Sequence, residues 1–259
     1  MSSVRRQELT DYLDSLFREY VCPEDPSHNG LQVQGKEEVS RVAFAVDARL
    51  ETFRMAVEAG ADLLFCHHGI LWGAGLSRLT GNDGERVRIL MKNDLSLYAM
   101  HLPLDAHDTL GNNAQLALTL GIPLEKQSPF AITRGIPAGV QGDLPKTTTL
   151  DELADRLQAL QQTPTDFFGA PADRPVNHIA VVSGSGAGFL EDAAHCGADA
   201  FITGELDHVR GIRALELGMP VVTGGHYGTE THGPKAVMRQ VQEHFPQLEC
   251  LWLSAPTGL

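Results

Sequence analysis

Short apolar runs of strand length alternate with segments of helical period along most of the chain. The first set of strands and helices is predicted at 41–47 (strand), 50–60 (helix), 62–68 (strand), 84–94 (helix) and 95–101 (strand). The first of these helices is predicted to end at Gly60, a residue type that favours helix termini. Strands that alternate with helices predict an α/β layered fold.

The same order of elements returns in the second half of the chain. This second set is predicted at 178–184 (strand), 188–197 (helix), 198–205 (strand), 207–218 (helix) and 219–226 (strand). The two sets align without a gap at an offset of 137 residues, which places Gly60-Ala61-Asp62 on Gly197-Ala198-Asp199. Two copies are too few for a solenoid, so the pattern predicts an internal duplication that produces two similar α/β domains.

A helix at 235–245 and a strand at 248–254 follow the second set, and we expect them to return to the first domain. The sequence therefore predicts a first α/β domain formed by residues 1–128 together with residues 235–259. Residues 129–234 form the second α/β domain in this interpretation.

Composition and charge narrow the class of protein. A hydrophobic content of 42% with 20% charged residues is typical of a soluble globular protein, and the net charge of −13 makes a nucleic-acid partner unlikely. The four cysteines are widely spaced without a C-x-x-C pair, which favours free thiols in a reducing compartment. No segment resembles a signal peptide or a membrane span, so we expect a cytoplasmic protein with no membrane partner.

Candidate metal ligands follow the predicted strands. His67 and His68 end the second strand of the first set. In both sets, the third strand ends in a histidine that is followed four residues later by a carboxylate. These pairs are His101 with Asp105 and His226 with Glu230. Ligands bind outside the carboxyl ends of strands in open α/β sheets, so the groups converge in one cleft if the two domains face each other.

The adjacent histidines suggest two ions rather than one. Successive side chains of a strand point to opposite faces, so we expect His67 and His68 to serve one ion each, with a shared carboxylate between the ions. Imidazole and carboxylate donors suit zinc, iron, manganese, nickel or cobalt. Each signal also has a structural interpretation: hydrogen-bonded core histidines, a helix-capping Asp105, or Glu230 as an ordinary residue at a helix start.

Several short stretches together resemble the Nif-three-like family of dinuclear-metal hexameric proteins, also labelled GTP cyclohydrolase I type 2 homologues. The stretches that carry the resemblance are NGLQV (29–33), HHG (67–69), HLPLDAH (101–107), LGNN (110–113), GADAFITGE (197–205) and GHYGTE (225–230). The resemblance covers nearly the whole chain. It implies two related α/β domains, a metal site in the interdomain cleft, and a toroidal homohexamer built as a trimer of dimers.

The resemblance also implies roles for individual residues. It matches five residues to the ligands of two divalent metal ions per chain: His67, His68, Asp105, His226 and Glu230. His101 matches a histidine beside the ions, as a further ligand or as a catalytic proton carrier. The stretch GELDHV departs from the family's more usual lysine- and histidine-containing sequence, which leaves the roles of Glu205 and His208 open.

The reaction is less well defined than the site. Two metal ions suit hydrolysis of a nucleotide, a cyclic amide or a phosphoester, and the resemblance points to GTP cyclohydrolase-like chemistry on a small-molecule substrate. The alternative is a metal-binding, metal-delivery or regulatory scaffold without enzyme activity. The sequence decides neither the substrate nor the native metal.

Overall fold

The computed structural model describes residues 2–161 and 165–258, and these form two compact units. The first unit runs to Leu104 and is completed by Pro234–Ala255. The second unit is formed by Asp105–Gly233 and by the residues from Pro256. The change between units therefore comes after residue 104, whereas the sequence analysis put it after residue 128.

The first unit contains most of the N-terminal strands and helices. These are β1 (Val4–Arg5), α1 (Arg6–Phe17), β2 (Gly30–Val33), β3 (Glu38–Val39), β4 (Arg41–Asp47), α2 (Leu50–Glu58), β5 (Leu63–His68), α3 (Gly81–Lys92), β6 (Ser96–Ala99) and α4 (Leu102–Ala106), the last of which crosses the boundary.

The second unit contains the next set of elements, after which the chain returns to the first. The elements of the second unit are α5 (Asn112–Leu120), β7 (Ser128–Thr133), β8 (Ile136–Thr149), α6 (Leu150–Gln161), β9 (Asp166–Phe168), β10 (Pro175–Val182), α7 (Leu190–His195), β11 (Ala200–Thr203), α8 (His208–Leu217), β12 (Val221–Thr223) and α9 (His226–Thr229). The chain returns to the first unit within α10 (His232–His244) and ends there with β13 (Glu249–Trp252).

Within the described part of the first unit, the main sheet has the order β13-β4-β5-β6-β2. The first four strands run parallel, and β2 joins antiparallel at the edge. Both faces are covered, which is why the strands read as continuous apolar runs. One face presents a row of stacked or tilted rings, Phe44, Phe65 and Tyr98, whose neighbouring centroids lie 5.5 and 5.6 Å apart.

The sheet of the second unit, over its described residues, has the order β7-β8-β10-β11-β12-β9. Here β10, β11 and β12 are parallel, and the flanking strands are antiparallel. Side chains of β10 alternate between two apolar clusters, with Ile179 and Val181 in one and Ala180 and Val182 in the other. Helix α5 contributes Leu116, among others, to the first cluster, which explains why the second unit begins before α5.

One hydrogen-bonding arrangement occurs in both units at the predicted offset. Asp62 Oδ2 accepts the backbone N–H groups of Ser40 and Arg41 at 2.8 and 3.1 Å. Asp199 Oδ2 accepts the two N–H groups 137 positions further along the chain, each at 2.9 Å. A carboxylate after the helix thus ties down the start of the preceding strand in each unit. The parallel part of the sheet has four strands in the first unit and three in the second, over the described residues.

The predicted α/β fold class is confirmed. Internal duplication and a cleft between the domains stay predictions. The return of the chain end to the first sheet is observed directly, since β13 pairs with β4 in parallel. None of the described helices is both long and apolar enough to cross a membrane.

Candidate metal centre

Strand β5 ends in His67 and His68, whose imidazole centroids lie only 4.5 Å apart. The expectation that these side chains point to opposite faces of the sheet is wrong. His67 Nδ1 donates to the Met100 carbonyl at 2.9 Å, beyond β6, and His68 Nδ1 donates to Asp47 Oδ1 at 2.8 Å, at the end of β4. The rings are therefore held from the two sides of the strand end, and alternation does not support one ion for each histidine.

His101 joins the same cluster from the segment after β6. Its ring centroid lies 5.1 Å from that of His67 and 5.6 Å from that of His68. A potential ligand atom of each of the three histidines lies within 4.8 Å of those of the other two. Asp25 Oδ1 accepts a hydrogen bond from His101 Nδ1 at 2.8 Å, and the Asp25 side chain is only 1% exposed.

Asp25 is itself firmly placed. Its carboxylate accepts the backbone N–H of Ser27 at 2.9 Å and that of Leu102 at 3.0 Å. Burial acts to raise the pKa of this carboxyl group, but the hydrogen bonds from His101, Asn29 and Ser27 outweigh it and hold the pKa below its usual range. Asp25 is therefore an ionised acceptor that fixes the orientation of His101.

In the second unit, His226 and Glu230 lie one helical turn apart, at the start and just beyond the end of α9. His226 Nε2 lies 3.1 Å from Glu230 Oε2, and Glu230 is 4% exposed. His226 Nδ1 lies 2.8 Å from Glu205 Oε1, and Glu205 accepts a further hydrogen bond from the Ser185 hydroxyl. Glu205 thus fixes the ring of His226, a candidate metal ligand, through its Nδ1 atom.

The two carboxylates change the protonation of His226. Hydrogen bonding to Glu230 raises the pKa of His226 to about 9, against the opposing effect of burial and with further help from Glu205. The hydrogen bonds from Ser185 and His226 lower the pKa of Glu205. In the metal-free protein at neutral pH, His226 carries a proton between two carboxylates, and a bound cation would take the place of that proton.

One orientation is common to the four histidines of the candidate site, His67, His68, His101 and His226. In each, Nδ1 is bonded to an oxygen acceptor: the Met100 carbonyl, Asp47, Asp25 or Glu205. In the neutral imidazole this places the lone pair on Nε2, the nitrogen through which such a histidine would bind a metal ion. Histidine ligands in metalloproteins usually donate their other N–H to a carboxylate or carbonyl in this way. The donor set therefore fits a divalent metal that prefers nitrogen and oxygen ligands.

Glycine at position 184 leaves room for Glu230. Gly184 follows β10 with a positive φ of 59°, and a Cβ there would lie 3.1 Å from Glu230 Cδ and 3.2 Å from His226 Nε2. Its backbone is tied on both sides, since Thr229 Oγ1 accepts its N–H at 3.0 Å and its carbonyl accepts the Gly204 N–H at 3.0 Å. The turn after β10 thus forms a wall that only glycine fits without displacing the carboxylate.

Asp105 lies on α4 and is oriented within the second unit. The Asn112 side-chain amide donates to Asp105 Oδ1 at 2.8 Å, and the Ser183 hydroxyl lies 3.5 Å from the same oxygen. Asn112 is fully buried, and its side-chain oxygen accepts the Gly233 N–H at 2.7 Å. The structure therefore gives the Asp105 carboxylate a defined orientation. That Asp105 binds a metal ion stays a prediction, and the same holds for His67, His68, His226 and Glu230.

Sequence reasoning missed the acceptors behind the histidines. It named Glu205 without a role and did not name Asp25 or Asp47. Asp47 could have been found, because it ends the strand RVAFAVD in the same way as the histidines end theirs. Asp25 lies in a segment without regular structure, so no periodicity points to it.

Both units have parallel strands at the centre of the sheet and carry histidines and carboxylates after those strands. This combination is typical of a metalloprotein. Comparison with known proteins identifies the family. The family model described as Duf34/NIF3 (NGG1p interacting factor 3) matches residues 4–257. The chain belongs to this family, as the resemblance indicated.

Relatives match the chain over almost its full length. A protein of Deinococcus radiodurans named GTP cyclohydrolase 1 type 2 homolog is 41% identical, over 99% of this chain and 95% of its own. A Pyrococcus abyssi protein of the same name is 40% identical, over 99% of this chain and 100% of its own. The crystal structure of TTHA1606 from Thermus thermophilus is 39% identical and superposes with a TM-score of 0.88, covering 99% of this chain and 100% of that one.

Proposed function

We propose that the donor sets of the two units together hold two divalent metal ions and that this centre catalyses hydrolysis of a small molecule. The observation that carries the proposal is the shared orientation of four imidazoles, each with Nδ1 bonded to an oxygen acceptor. A histidine that binds a metal usually donates its other ring N–H to a carboxylate or a carbonyl, and the three histidines proposed as ligands all make such a bond.

Five residues would hold the ions: His67, His68, Asp105, His226 and Glu230. Two donor atoms bound to one ion lie about 3 Å apart, which is the separation of His226 Nε2 and Glu230 Oε2. We assign Glu230 as the shared carboxylate. Asp105 then belongs mainly to one of the two ions, and His226 belongs to the other. Such a pair of ions would supply Lewis acidity for hydrolysis.

His101 is the proposed proton carrier. Its Nδ1–H is held by the ionised Asp25, so Nε2 keeps its lone pair on the side of His67 and His68. The Trp72 ring lies edge-on against His101 with centroids 4.9 Å apart, which limits rotation of the imidazole and shields one side from water. A histidine whose ring is held in one orientation can accept a proton on Nε2 during the reaction and donate it again in a later step.

The substrate class follows from the family and from the chemistry of the centre. The relatives' name, GTP cyclohydrolase 1 type 2 homolog, favours a nucleotide. Two-metal hydrolysis equally serves a cyclic amide or a phosphoester. A metal-delivery or regulatory scaffold is the alternative, and it predicts metal binding without turnover.

The test has two parts. Metal analysis of protein purified without a chelating tag should approach two equivalents per chain, and a reproducible value of one or fewer after saturation contradicts the two-ion centre. Reconstituted protein is then assayed on nucleotides, phosphodiesters and cyclic amides, with Glu230→Ala as control. Turnover that Glu230→Ala abolishes supports the hydrolase, and full metal loading without turnover of any compound supports the scaffold.

Assembly is a separate part of the proposal. The resemblance supports a toroidal homohexamer, a trimer of dimers. Light scattering or sedimentation should therefore give about six times the mass of one chain, and a stable monomer at micromolar concentration would exclude the ring.

A further inference from the structure

A second group of charged side chains lies apart from the histidines, in the first unit. A pocket of about 500 Å³ is lined by residues from the starts of α2 and α3, among them Arg49, Arg54 and Arg86. The chain as a whole carries a net charge of −13, so three arginines around one pocket stand out from its average surface. Arginine is the residue type best suited to bind a planar or tetrahedral oxyanion through several N–H groups.

Two of the arginines are anchored by neutral groups. Arg49 Nη2 donates to the Ala255 carbonyl at 3.0 Å, and Arg86 Nη2 donates to the Ala48 carbonyl at 2.6 Å. A carbonyl fixes a guanidinium without neutralising its charge. The Nε atoms of Arg49 and Arg86 are buried, and within the described ranges neither has a hydrogen-bond acceptor. The guanidinium groups of both arginines are thus fixed in place beside the pocket.

The third arginine is exposed and available. Across the described residues, Arg54 makes no ion pair with a carboxylate. Two carboxylates do reduce the positive charge of the pocket: Glu51 pairs with Arg49, and Asp83 Oδ1 lies 3.7 Å from Arg86 Nη1. These carboxylates are 60% and 47% exposed, so water screens both pairs, and three guanidinium groups still outnumber the two acids.

The position of the pocket in the fold also favours an anion. Helix α2 has nine residues and begins directly after the carboxyl end of β4, and Leu50 and Glu51 of its first turn line the pocket. N–H groups in the first turn of a helix have no carbonyl partner within the helix. The turn from a strand into a helix is the usual phosphate site of α/β sheets, because the helix dipole and these N–H groups act together.

We propose that this pocket binds a phosphate group, through the guanidinium groups of Arg49, Arg54 and Arg86 and the first turn of α2. The Asn82 side-chain amide, also in the lining, supplies a further donor. The phosphate is either free inorganic phosphate or the phosphate of an organic ligand such as a nucleotide. The proposal is independent of the metal centre and of hydrolysis.

The test is calorimetric titration of the full chain with sodium phosphate at constant ionic strength, both as purified and after metal removal. Arg54→Gln and Arg86→Gln should each weaken binding about tenfold or more, since each removes charge-assisted hydrogen bonds. Arg88→Gln is the matched control, because Arg88 lies on α3 and outside the pocket lining and pairs with Glu85. The control should bind phosphate as the parent does.

A nucleoside and its monophosphate distinguish the two sources of phosphate. Tighter binding of the monophosphate than of phosphate, with the same dependence on Arg54, supports the site and assigns it to an organic phosphate. Equal affinity supports the site and assigns it to the free ion. The proposal is overturned if the parent protein shows no saturable binding at millimolar phosphate, if Arg88→Gln loses as much affinity as Arg54→Gln, or if binding disappears with the metal. Since Arg54 is exposed, its variant should fold normally.

Discussion

Replacing Gly184 by alanine tests whether the space beside the Glu230 carboxylate is needed for metal binding. Position 184 has φ of 59°, where a residue with a Cβ costs about 1–2 kcal/mol of folding free energy. The new methyl group would overlap Glu230 Oε1 and lie 3.1 Å from Glu230 Cδ, whereas carbon atoms in contact are normally about 3.5–4.0 Å apart. Because the backbone of Gly184 is hydrogen-bonded on both sides, the carboxylate rather than the backbone must move.

The expected result is a loss of metal affinity that exceeds the loss of stability. Displacing the carboxylate of a proposed ligand should weaken metal binding by on the order of tenfold to a hundredfold. Gly197→Ala is the matched control, because Gly197 also has positive φ, at 79°, but a Cβ there would meet nothing within 4 Å. Gly197→Ala should lose free energy of unfolding through its positive φ alone, and Gly184→Ala should lose at least as much, because the overlap with Glu230 is added.

Metal affinity is measured by competition with a chelator, and stability by urea denaturation of the metal-free proteins. If Gly184→Ala bound the metal as tightly as the parent protein, the reasoning would be refuted. If Gly184→Ala and Gly197→Ala lost metal affinity equally, backbone strain and not the displaced carboxylate would be the cause.

Three further predictions concern single side chains. Glu230→Gln should lose both metal ions, whereas Asp105→Asn should keep about one of the two, as measured by zinc or manganese titration of the apo proteins; unchanged binding of two ions by Glu230→Gln would remove its bridging role. Asp25→Asn should change the tautomer of His101, seen in nitrogen-15 NMR of the imidazoles, and an unchanged spectrum would contradict the positioning role. Burial alone would raise the pKa of Asp62, but hydrogen bonds from a lysine and two backbone N–H groups lower it. The stability this gives is therefore present above the unfolded pKa and lost as pH falls through the folded one, so Asp62→Asn should cost about 1–2 kcal/mol at neutral pH and little in strong acid. If urea denaturation showed the same loss of unfolding free energy in Asp62→Asn at every pH, the proposed role of the ionised Asp62 would be wrong.

Much of the fold could be predicted because the parallel strands are buried on both faces. Continuous apolar runs ended by glycine and polar residues located β4 at residues 41–47, as the structure has it. The prediction of a helix at 188–197 is less accurate. In the structure this segment begins with a 3-10 turn over Gly186–Phe189 and continues as α7. Glycines at its start disfavour a regular helix.

The candidate site was predictable only in part. Histidines and carboxylates after strands mark the site because the fold brings strand ends to one edge. Ring orientation was not predictable in the same way: His67 and His68 depart from strand alternation because their Nδ1 atoms are bonded to groups on neighbouring segments. Those acceptors, Asp47 and the Met100 carbonyl, are far from the histidines in sequence, so only the tertiary structure shows the pairing.

Anomalous diffraction from crystals of the metal-loaded protein tests the central claim most directly. The account predicts two anomalous peaks per chain, with Glu230 between them and the Nε2 atoms of His67, His68 and His226 as ligands. A single peak, or ions bound away from these residues or through Nδ1, would contradict it.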